Sequence, residues 1–309
     1  MLTVNEVTEI YYLNNEFSKE FDKTFQKHLL KEDNGKRTRN KPNRLSNSEV
    51  MTILIAFHLG GYRNLKHFYL FYVCKHMTKE FPCLVSYTRF VELQQKIVFP
   101  LVLFLKICHR GQCTGISFVD STALKVCHIK RERQNKVFDG IATEGNGTLG
   151  WFFGFKLHII INEKGEILNF VITQGNTDDR QPLYSKEFTQ SVFSKLFGDR
   201  GYISQKLQEF LFVDGIQLIT KMRNNMKGGE IPLKDKLILR KRAVIESVND
   251  ELKNICQIEH TRHRSFTNFI TNLIAGLLAY SFLPKKNQSM LILLIKINLY
   301  YSNLISNSR

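Results

Sequence analysis

The sequence predicts a mixed α/β protein in which an all-helical N-terminal domain precedes a mixed sheet flanked by helices. Apolar residues recur at helical spacing through the first 110 residues or so, and after Gly115 short apolar runs alternate with helical patterns. The chain has 309 residues, of which 43% are hydrophobic, enough for one large domain or two modest ones. We therefore expect a helical domain over residues 1–110, an α/β domain over residues 111–284 and a tail over residues 285–309 whose role the sequence does not indicate.

The predicted N-terminal domain begins with an amphipathic helix over residues 7–30. Its apolar face repeats at every fourth position, at Phe17, Phe21, Phe25 and Leu29. Ser46 and Glu49 have capping-box spacing and predict the start of a second helix, which Gly60 and Gly61 end. Further helical patterns cover residues 64–73, 87–97 and 100–108. Short helices of this kind are compatible with a helix-turn-helix DNA-binding domain and equally with a structural bundle.

The charge of the chain indicates a polyanionic partner. Lys and Arg number 44 against 28 Asp and Glu, which gives a formal net charge of +16 and a pI near 9.6. Residues 31–44 contribute six cations and two acids, together with a glycine and a proline, and are expected to form an exposed basic linker. Nucleic acid is the first candidate partner and an anionic membrane surface is the second.

The chain shows no sign of export or of stable membrane association. Its first residues lack the basic-then-apolar pattern of a secretory signal, and the apolar stretches 270–283 and 290–305 are interrupted by polar residues. Six cysteines have no framework spacing, so we expect them to be reduced. These features favour a cytoplasmic protein.

After residue 115 the sequence predicts the mixed sheet and its helices. Two strands, over residues 155–162 and 167–173, are joined by a four-residue turn and predict an antiparallel hairpin. Further strands are predicted over residues 116–119, 196–197 and 217–221, and helices over residues 182–193, 204–213 and 237–255.

Three carboxylates are the candidate catalytic residues. Asp120 directly follows the apolar run ISFV and Asp199 shortly follows LF, and ligands gather just beyond strand ends in sheets of this kind. Each alone could equally be a turn or capping residue. Glu246 lies in the helix predicted over residues 237–255, and helical spacing places Arg242 and Lys253 on the same strip of that helix. Arg242 and Glu246 could also form an ordinary surface ion pair. Three hard oxygen ligands suit Mg²⁺ or Mn²⁺, and two such ions would serve phosphodiester chemistry.

Four segments, in this order, resemble the catalytic domain of bacterial insertion-sequence transposases of the DDE class. The segments are FVDSTALKVCHIKR, GWFFGFKLHIIINEKGEILNFVITQGNTDD, FGDRGY and RAVIESVNDELK. The resemblance implies a ribonuclease H-like fold in which Asp120, Asp199 and Glu246 hold two divalent ions. It also implies that Arg242 and Lys253 belong to the Tyr-x2-Arg-x3-Glu-x6-Lys signature that grips transposon-end phosphates. Leu239 stands at the tyrosine position, so the contact of that tyrosine is not carried over.

Several further residues are candidate DNA contacts. The basic ones, expected to contact phosphates, are Lys130, Arg131, Arg133, Lys221 and Arg223. Trp151, the single tryptophan, is either a packing aromatic or a platform for an unpaired base. Asp178 and Asp179 also follow a strand, but we rank them below Asp120 as metal ligands. We expect structural roles for His128 and His158.

The resemblance implies a transposase that cleaves at the terminal inverted repeats of its element and transfers the 3′-hydroxyl ends into double-stranded target DNA. It would be a bacterial, nucleoid-associated protein, and joining two ends implies a homodimer in the synaptic complex. Two alternatives remain open: a stand-alone ribonuclease H-like nuclease, and a catalytically silent DNA-binding protein derived from a transposase.

Overall fold

A computed structural model describes residues 2–29, 43–108, 110–147, 150–221, 231–259 and 263–284, together with residues 296, 297 and 300. The chain divides into two compact units. The helical unit comprises residues 1–109 and 254–309, and the sheet unit comprises residues 110–253. The basic segment 31–44, apart from its last two residues, and most of the tail 285–309 lie outside the described residues.

The described residues form eleven α-helices and a six-stranded sheet. The helices are α1 (Val4–Leu29), α2 (Asn47–Leu59), α3 (Leu65–His67), α4 (Cys74–His76), α5 (Tyr87–Lys96), α6 (Val98–Cys108), α7 (Lys186–Thr189), α8 (Gln205–Val213), α9 (Leu233–Lys241), α10 (Ala243–Asp250) and α11 (Phe266–Ser281). The strands are β1 (Ile116–Cys127), β2 (Thr143–Gly147), β3 (Gly150–Asn162), β4 (Ile167–Gln174), β5 (Ser194–Gly198) and β6 (Ile216–Thr220). The predicted fold class, a mixed sheet flanked and preceded by helices, is confirmed.

The helical unit is built from both ends of the chain. Helix α2 begins at the predicted capping box, in which the Ser46 hydroxyl accepts a hydrogen bond from the Glu49 backbone N–H at 3.2 Å. Helix α11 is buried along nearly its whole length and packs against α2, α5 and α6, while α1 packs against α2 and α6. The N-terminal helices therefore share their hydrophobic core with a helix that follows the sheet unit in sequence. Within the described ranges, every helix is too short or too polar to cross a membrane.

The sheet has the order β2-β3-β1-β5-β6, with β4 also paired to β3. Strands β3 and β4 form the predicted antiparallel hairpin, and Gly165 in its turn adopts a φ of +77° that favours glycine. Strands β1, β5 and β6 run parallel to one another. Helices precede β5 and connect it to β6, and crossovers of this kind are what parallel pairing requires. The sheet is therefore mixed, with β1 joining its antiparallel and parallel halves.

Several elements of the sheet unit differ from the sequence prediction. The helix predicted over residues 182–193 is a 3₁₀ turn, Gln181–Tyr184, followed by the short α7, and β3 begins at Gly150 rather than at residue 155. Strand β1 continues to Cys127 rather than ending at residue 119, because it keeps pairing with β3 after its pairing with β5 stops at Phe118. Strand β2, with the sequence TEGNG, carries no apolar pattern that could have predicted it. The single helix predicted over residues 237–255 is divided at Arg242 into α9 and α10, and α10 passes into a π-helical turn, Glu251–Ile255.

The two faces of the sheet carry different layers. On one face, Val119, Ile160 and Leu196 belong to a buried cluster with side chains of α7 and α8 such as Phe188 and Leu211. The opposite face carries Phe118 and Phe197, whose ring centroids lie 5.7 Å apart. Helix α10 packs against β1 and buries Ile245 and Val248. Since side chains alternate along a strand, Asp120 projects on the same face as Phe118.

Candidate active site

Asp120 lies inside β1, two residues beyond the last position at which this strand pairs with β5. Its backbone pairs with Ile159 of β3 on the other side. Because β5 ends while β1 continues, the Asp120 side chain borders the gap that opens beyond the parallel strands. Its side chain is only 18% exposed.

Asp199 lies next to Asp120 by strand register. Phe118 of β1 pairs with Phe197 of β5, and each aspartate follows its phenylalanine by two residues in extended backbone. Asp199 caps a turn of 3₁₀ helix, where its Oδ1 accepts a hydrogen bond from the Gly201 backbone N–H at 2.9 Å. The parallel ladder thus brings together two carboxylates that are far apart in sequence.

Arg242 connects helix α10 to this pair. Its Nη2 lies 3.3 Å from Oδ1 of Asp120, and its Nη1 lies 3.3 Å from Oε1 of Glu246. The guanidinium is 20% exposed and the Glu246 side chain is 64% exposed, so the bridge runs from the protein interior to the solvent. Glu246 therefore faces the same side of the sheet as Asp120.

Asn249 is a site residue that the sequence did not predict. Its Nδ2 donates a hydrogen bond to Oδ2 of Asp120 at 3.0 Å, so Arg242 and Asn249 together engage both oxygens of that carboxylate. The Asn249 Oδ1 is buried and has no hydrogen-bond partner among the described residues. The available signal was its position three residues after Glu246, but contact with β1 depends on the packing of α10.

Burial dominates the electrostatics of Asp120, and neighbouring charges act on it in both directions. Burial raises the pKa of Asp120 to about 6, Arg242 opposes this shift, and the charges of Asp199 and Asp179 reinforce it. The pKa of the Tyr202 phenol is also raised, by burial first and then by the charges of Asp120, Asp179 and Asp199. Since carboxylates crowd one another here, a bound cation would stabilise their charged forms.

Asp178 and Asp179, which follow β4, face different partners. Asp179 accepts a hydrogen bond from Nζ of Lys156 at 2.9 Å, and its charge acts on Asp120. Asp178 pairs with Arg180 at 2.6 Å, and this hydrogen bond lowers the pKa of Asp178 to about 2. Asp179 thus lies closer to the chemistry of the site than its sequence position alone suggested.

A cleft of about 420 Å³ lies beside Asp178 and Asp179. Its lining is mainly polar and includes Trp151, Lys156, Asp179 and Gly201. The Trp151 indole is 64% exposed, which excludes a packing role in the core of the described residues. This part of the sheet unit therefore presents an aromatic surface near Asp178 and Asp179, whereas Asp120, Asp199 and Glu246 do not line the cleft.

The predicted phosphate contacts are distributed around the sheet unit. Lys130, Arg131 and Arg133 are exposed on a 3₁₀ turn after β1, and Lys221 is exposed directly after β6. Lys253 is half-buried in the π-helical turn, so the uniform helical spacing that placed it on the strip of Arg242 does not apply. Arg223 lies outside the described residues.

Both histidines that the sequence singled out have structural contacts. His158 is buried in β3, where its Nε2 lies 2.8 Å from the Thr173 hydroxyl, and burial lowers its pKa to about 4. The Nδ1 of His128 accepts a hydrogen bond from the backbone N–H of Lys130 at 3.3 Å.

The donor set fits a hard divalent cation. Asp120, Asp199 and Glu246 offer only carboxylate oxygens, which Mg²⁺ and Mn²⁺ prefer. In the described residues, no three acidic, histidine or cysteine side chains form a compact metal-binding group, and the guanidinium of Arg242 lies between Asp120 and Glu246. Closing the three carboxylates around a cation would therefore require this guanidinium to move.

Comparison with known proteins gives a family and a similar solved structure. The chain is similar to a piggyBac transposase, seen by cryo-EM in a synaptic complex with hairpin DNA, with a TM-score of 0.45 and 11% identity over 98% of this chain and 78% of that chain. No curated protein matches the chain. The family model described as the transposase DDE domain matches residues 110–266, which include the whole sheet unit. The chain therefore belongs to the DDE transposase family and is a DNA transposase whose chemistry depends on divalent metal.

Proposed function

We propose that Asp120, Asp199 and Glu246 are the catalytic carboxylates with which this transposase cleaves DNA at the ends of its element. One observation carries the assignment: the β1–β5 register sets Asp120 beside Asp199, and Arg242 links the helix of Glu246 to Asp120. Asp120 and Asp199 lie at the end of the parallel strands, where α/β proteins commonly place their sites, and Glu246 lies on the other side of the Arg242 guanidinium from Asp120.

We propose two Mg²⁺ or Mn²⁺ ions as the cofactors of these carboxylates. When bound, such ions lower the pKa of the attacking oxygen and stabilise the leaving oxygen of a phosphodiester. The proximity of Asp120 to Asp199 supports this proposal: burial raises the pKa of Asp120, the charge of Asp199 adds to that rise, and a divalent cation would stabilise both charged carboxylates. Arg242 holds Asp120 and Glu246 by ion pairs, and Asn249 fixes the second oxygen of Asp120.

The proposed substrate is double-stranded DNA, namely the terminal inverted repeats of the element and the target. Phosphate contacts are assigned to the exposed cations Lys130, Arg131, Arg133 and Lys221, to Arg223 and Lys253, and to Arg242 once it is released from the carboxylates. Trp151 offers an exposed ring at the cleft, on which an unpaired base could stack. The helical unit and the basic segment 31–44 would add affinity for DNA.

Joining requires two element ends in one complex, so we propose a homodimer during the reaction and strand transfer by the cleaved 3′-hydroxyls. A bacterial cytoplasmic location at the nucleoid agrees with such a substrate. Joined products distinguish a transposase from a stand-alone nuclease, which would release cleaved ends only.

The test is the cleavage of DNA that carries the element ends, with Mg²⁺, by Asp120→Asn, Asp199→Asn and Glu246→Gln. Each change keeps the side-chain shape but removes a charge, and we expect cleavage to fall by roughly a hundredfold or more, since metal stabilisation of the transition state contributes several kcal/mol. Asp214→Asn is the matched control, because Asp214 is a surface carboxylate of the same unit paired with Lys186 at 3.4 Å. Undiminished cleavage by Asp120→Asn would refute the assignment.

A further inference from the structure

The segment between α2 and α5 has an unusual charge pattern. Between Glu49 and Glu80 the sequence has no acidic residue. The same stretch contains four cations, Arg63, Lys66, Lys75 and Lys79, and all four side chains are exposed. No ion pair involves any of the four within the part of the chain that the structure describes. Their charge is therefore uncompensated locally.

Two of the cations, Lys66 and Lys75, belong to one continuous helical stretch over residues 65–76, and Arg63 and Lys79 flank it in sequence. The stretch comprises α3, a π-helical segment (Phe68–Val73) and α4, and the Cys74 backbone N–H donates to the Tyr69 carbonyl five residues earlier. Wide turns of this type occur often at functional sites. One face is fixed in the core of the helical unit: Tyr69 stacks on Phe90 at 4.4 Å, and its hydroxyl donates to the Val85 carbonyl at 2.6 Å.

The opposite face presents an aromatic residue between two polar ones. Phe71 is 49% exposed. The His67 ring lies 4.7 Å from the Phe71 ring, and Nζ of Lys75 lies 4.9 Å above its centre. These three side chains form a row along the helix, with the exposed Phe71 ring in the middle. An exposed aromatic beside an uncompensated cation, in a segment that carries three more, is an arrangement that suits contact with nucleic acid.

We propose that this surface, formed by Arg63, Lys66, His67, Phe71, Lys75 and Lys79, is a duplex-DNA contact site separate from the carboxylates of the sheet unit. The cations contact backbone phosphates, and Phe71 makes an apolar contact with the sugar or base edge between them. The proposal rests on the proposed function in one respect, namely that the partner is DNA. An anionic membrane fits less well, because a helix that lies in a bilayer surface needs a wide apolar face, and the apolar face of this helix is buried in the protein.

A matched pair of double variants tests the site in the intact chain. Lys66→Ala with Lys75→Ala removes two cations from the surface. Lys19→Ala with Lys23→Ala removes two cations from α1 of the same unit, where each is paired with a glutamate, at 2.7 Å and 2.5 Å. Circular dichroism checks that each variant retains its helix content. Lys66→Gln with Lys75→Gln is a second double variant, which removes the same two charges but keeps part of each aliphatic stem.

The measurement is the affinity for a duplex of arbitrary sequence, followed by fluorescence anisotropy from about 0.05 to about 0.2 M salt without divalent ions. Loss of two phosphate contacts should reduce the magnitude of the slope of log K against log salt by about 2. Raising the salt across that range should therefore weaken DNA binding about tenfold less in the Lys66/Lys75 variant than in the parent chain. Phe71→Ala should weaken binding about fivefold at every salt concentration without changing the slope, because its contact is apolar. The α1 control should behave as the parent chain.

An unchanged slope for both Lys66/Lys75 pairs would overturn the site. Equal losses in the α1 control would also overturn it, since the effect would then reflect net charge alone. Loss of binding to phosphatidylserine vesicles with unchanged duplex binding would assign the surface to a membrane and refute the proposal. Cleavage is a separate readout: failure of the parent chain to cut DNA, with a changed slope in the variants, would refute the proposed function and leave this site standing.

Discussion

Asp120 is a buried carboxylate whose charge lowers the stability of the fold although the proposed metal binding requires that charge. Its carboxylate is buried beside Asp199, and this environment raises its pKa to about 6. In the unfolded chain an aspartate has a pKa of about 3.9. From about pH 4 to about pH 6 the folded chain therefore binds more protons than the unfolded chain, and the free energy of unfolding falls as the pH rises. Above pH 6 the full cost of the buried charge remains.

We therefore expect Asp120→Asn to stabilise the chain at neutral pH while it abolishes cleavage. Without divalent ions, the gain in the free energy of unfolding should be on the order of 1–3 kcal/mol at about pH 7.5 and should vanish below about pH 3, where Asp120 is protonated in both states. Urea unfolding at the two pH values measures this difference, with Asp214→Asn as a control of unchanged stability. A destabilised Asp120→Asn chain at pH 7.5 would contradict the expected cost of burial.

At the residue scale, the sequence could single out carboxylates but not the groups that hold them. Asp120 and Asp199 were predicted because each follows a short apolar run, and their catalytic roles remain a proposal. Asn249 escaped prediction because its hydrogen bond to Asp120 joins residues 129 positions apart and depends on how α10 lies across β1. Asp178 and Asp179 were ranked together below Asp120, and the contact with Lys156 that distinguishes Asp179 from Asp178 could not be predicted, because Lys156 lies on a neighbouring strand.

At the scale of elements, periodicity predicted long regular segments and missed irregular ones. The β3–β4 hairpin and α2 follow from alternation and from a capping box, which are local signals. Strand β2 forms only because β3 offers its edge, and the helix after β6 breaks at Arg242, where the side chain turns toward Asp120. Tertiary contacts decided both departures.

Strand β3 supplies a test of how tightly the centre of the sheet is packed. Gly154 pairs with both Lys125 and Thr143, and an added Cβ would lie 2.1 Å from the Leu124 carbonyl oxygen. Gly154→Ala should therefore displace backbone and destabilise the chain by about 1–3 kcal/mol or more. Gly147→Ala is the control, because its nearest neighbour in the structure would be 3.7 Å away. Equal stability of the two variants, measured by urea unfolding, would show that the β1 backbone can shift to make room for the added Cβ without lowering the free energy of unfolding.

At the scale of the whole molecule, the chain leaves the helical unit at residue 110 and returns to it at residue 254. The sequence predicted one catalytic domain over residues 111–284, and that functional boundary stays a prediction. In the structure, the hydrophobic residues of α11 belong to the core of the helical unit. Sequence order could not reveal this, because apolar periodicity shows that a helix is buried but not which partner buries it.

The two cores can be separated by hydrogen exchange on the intact chain. Leu277 of α11 is fully buried in the helical unit, and Leu211 of α8 is fully buried in the sheet unit. Each change to alanine should cost about 2–5 kcal/mol, from lost burial and from the cavity left behind. Leu277→Ala should lower amide protection in α2 and α6, which lie early in the chain, and leave β1 and β3 protected. Leu211→Ala should do the reverse, lowering protection around β5 and β6. Loss of protection in β1 and β3 but not in α2 after Leu277→Ala would show that α11 supports the sheet unit and not the N-terminal helices.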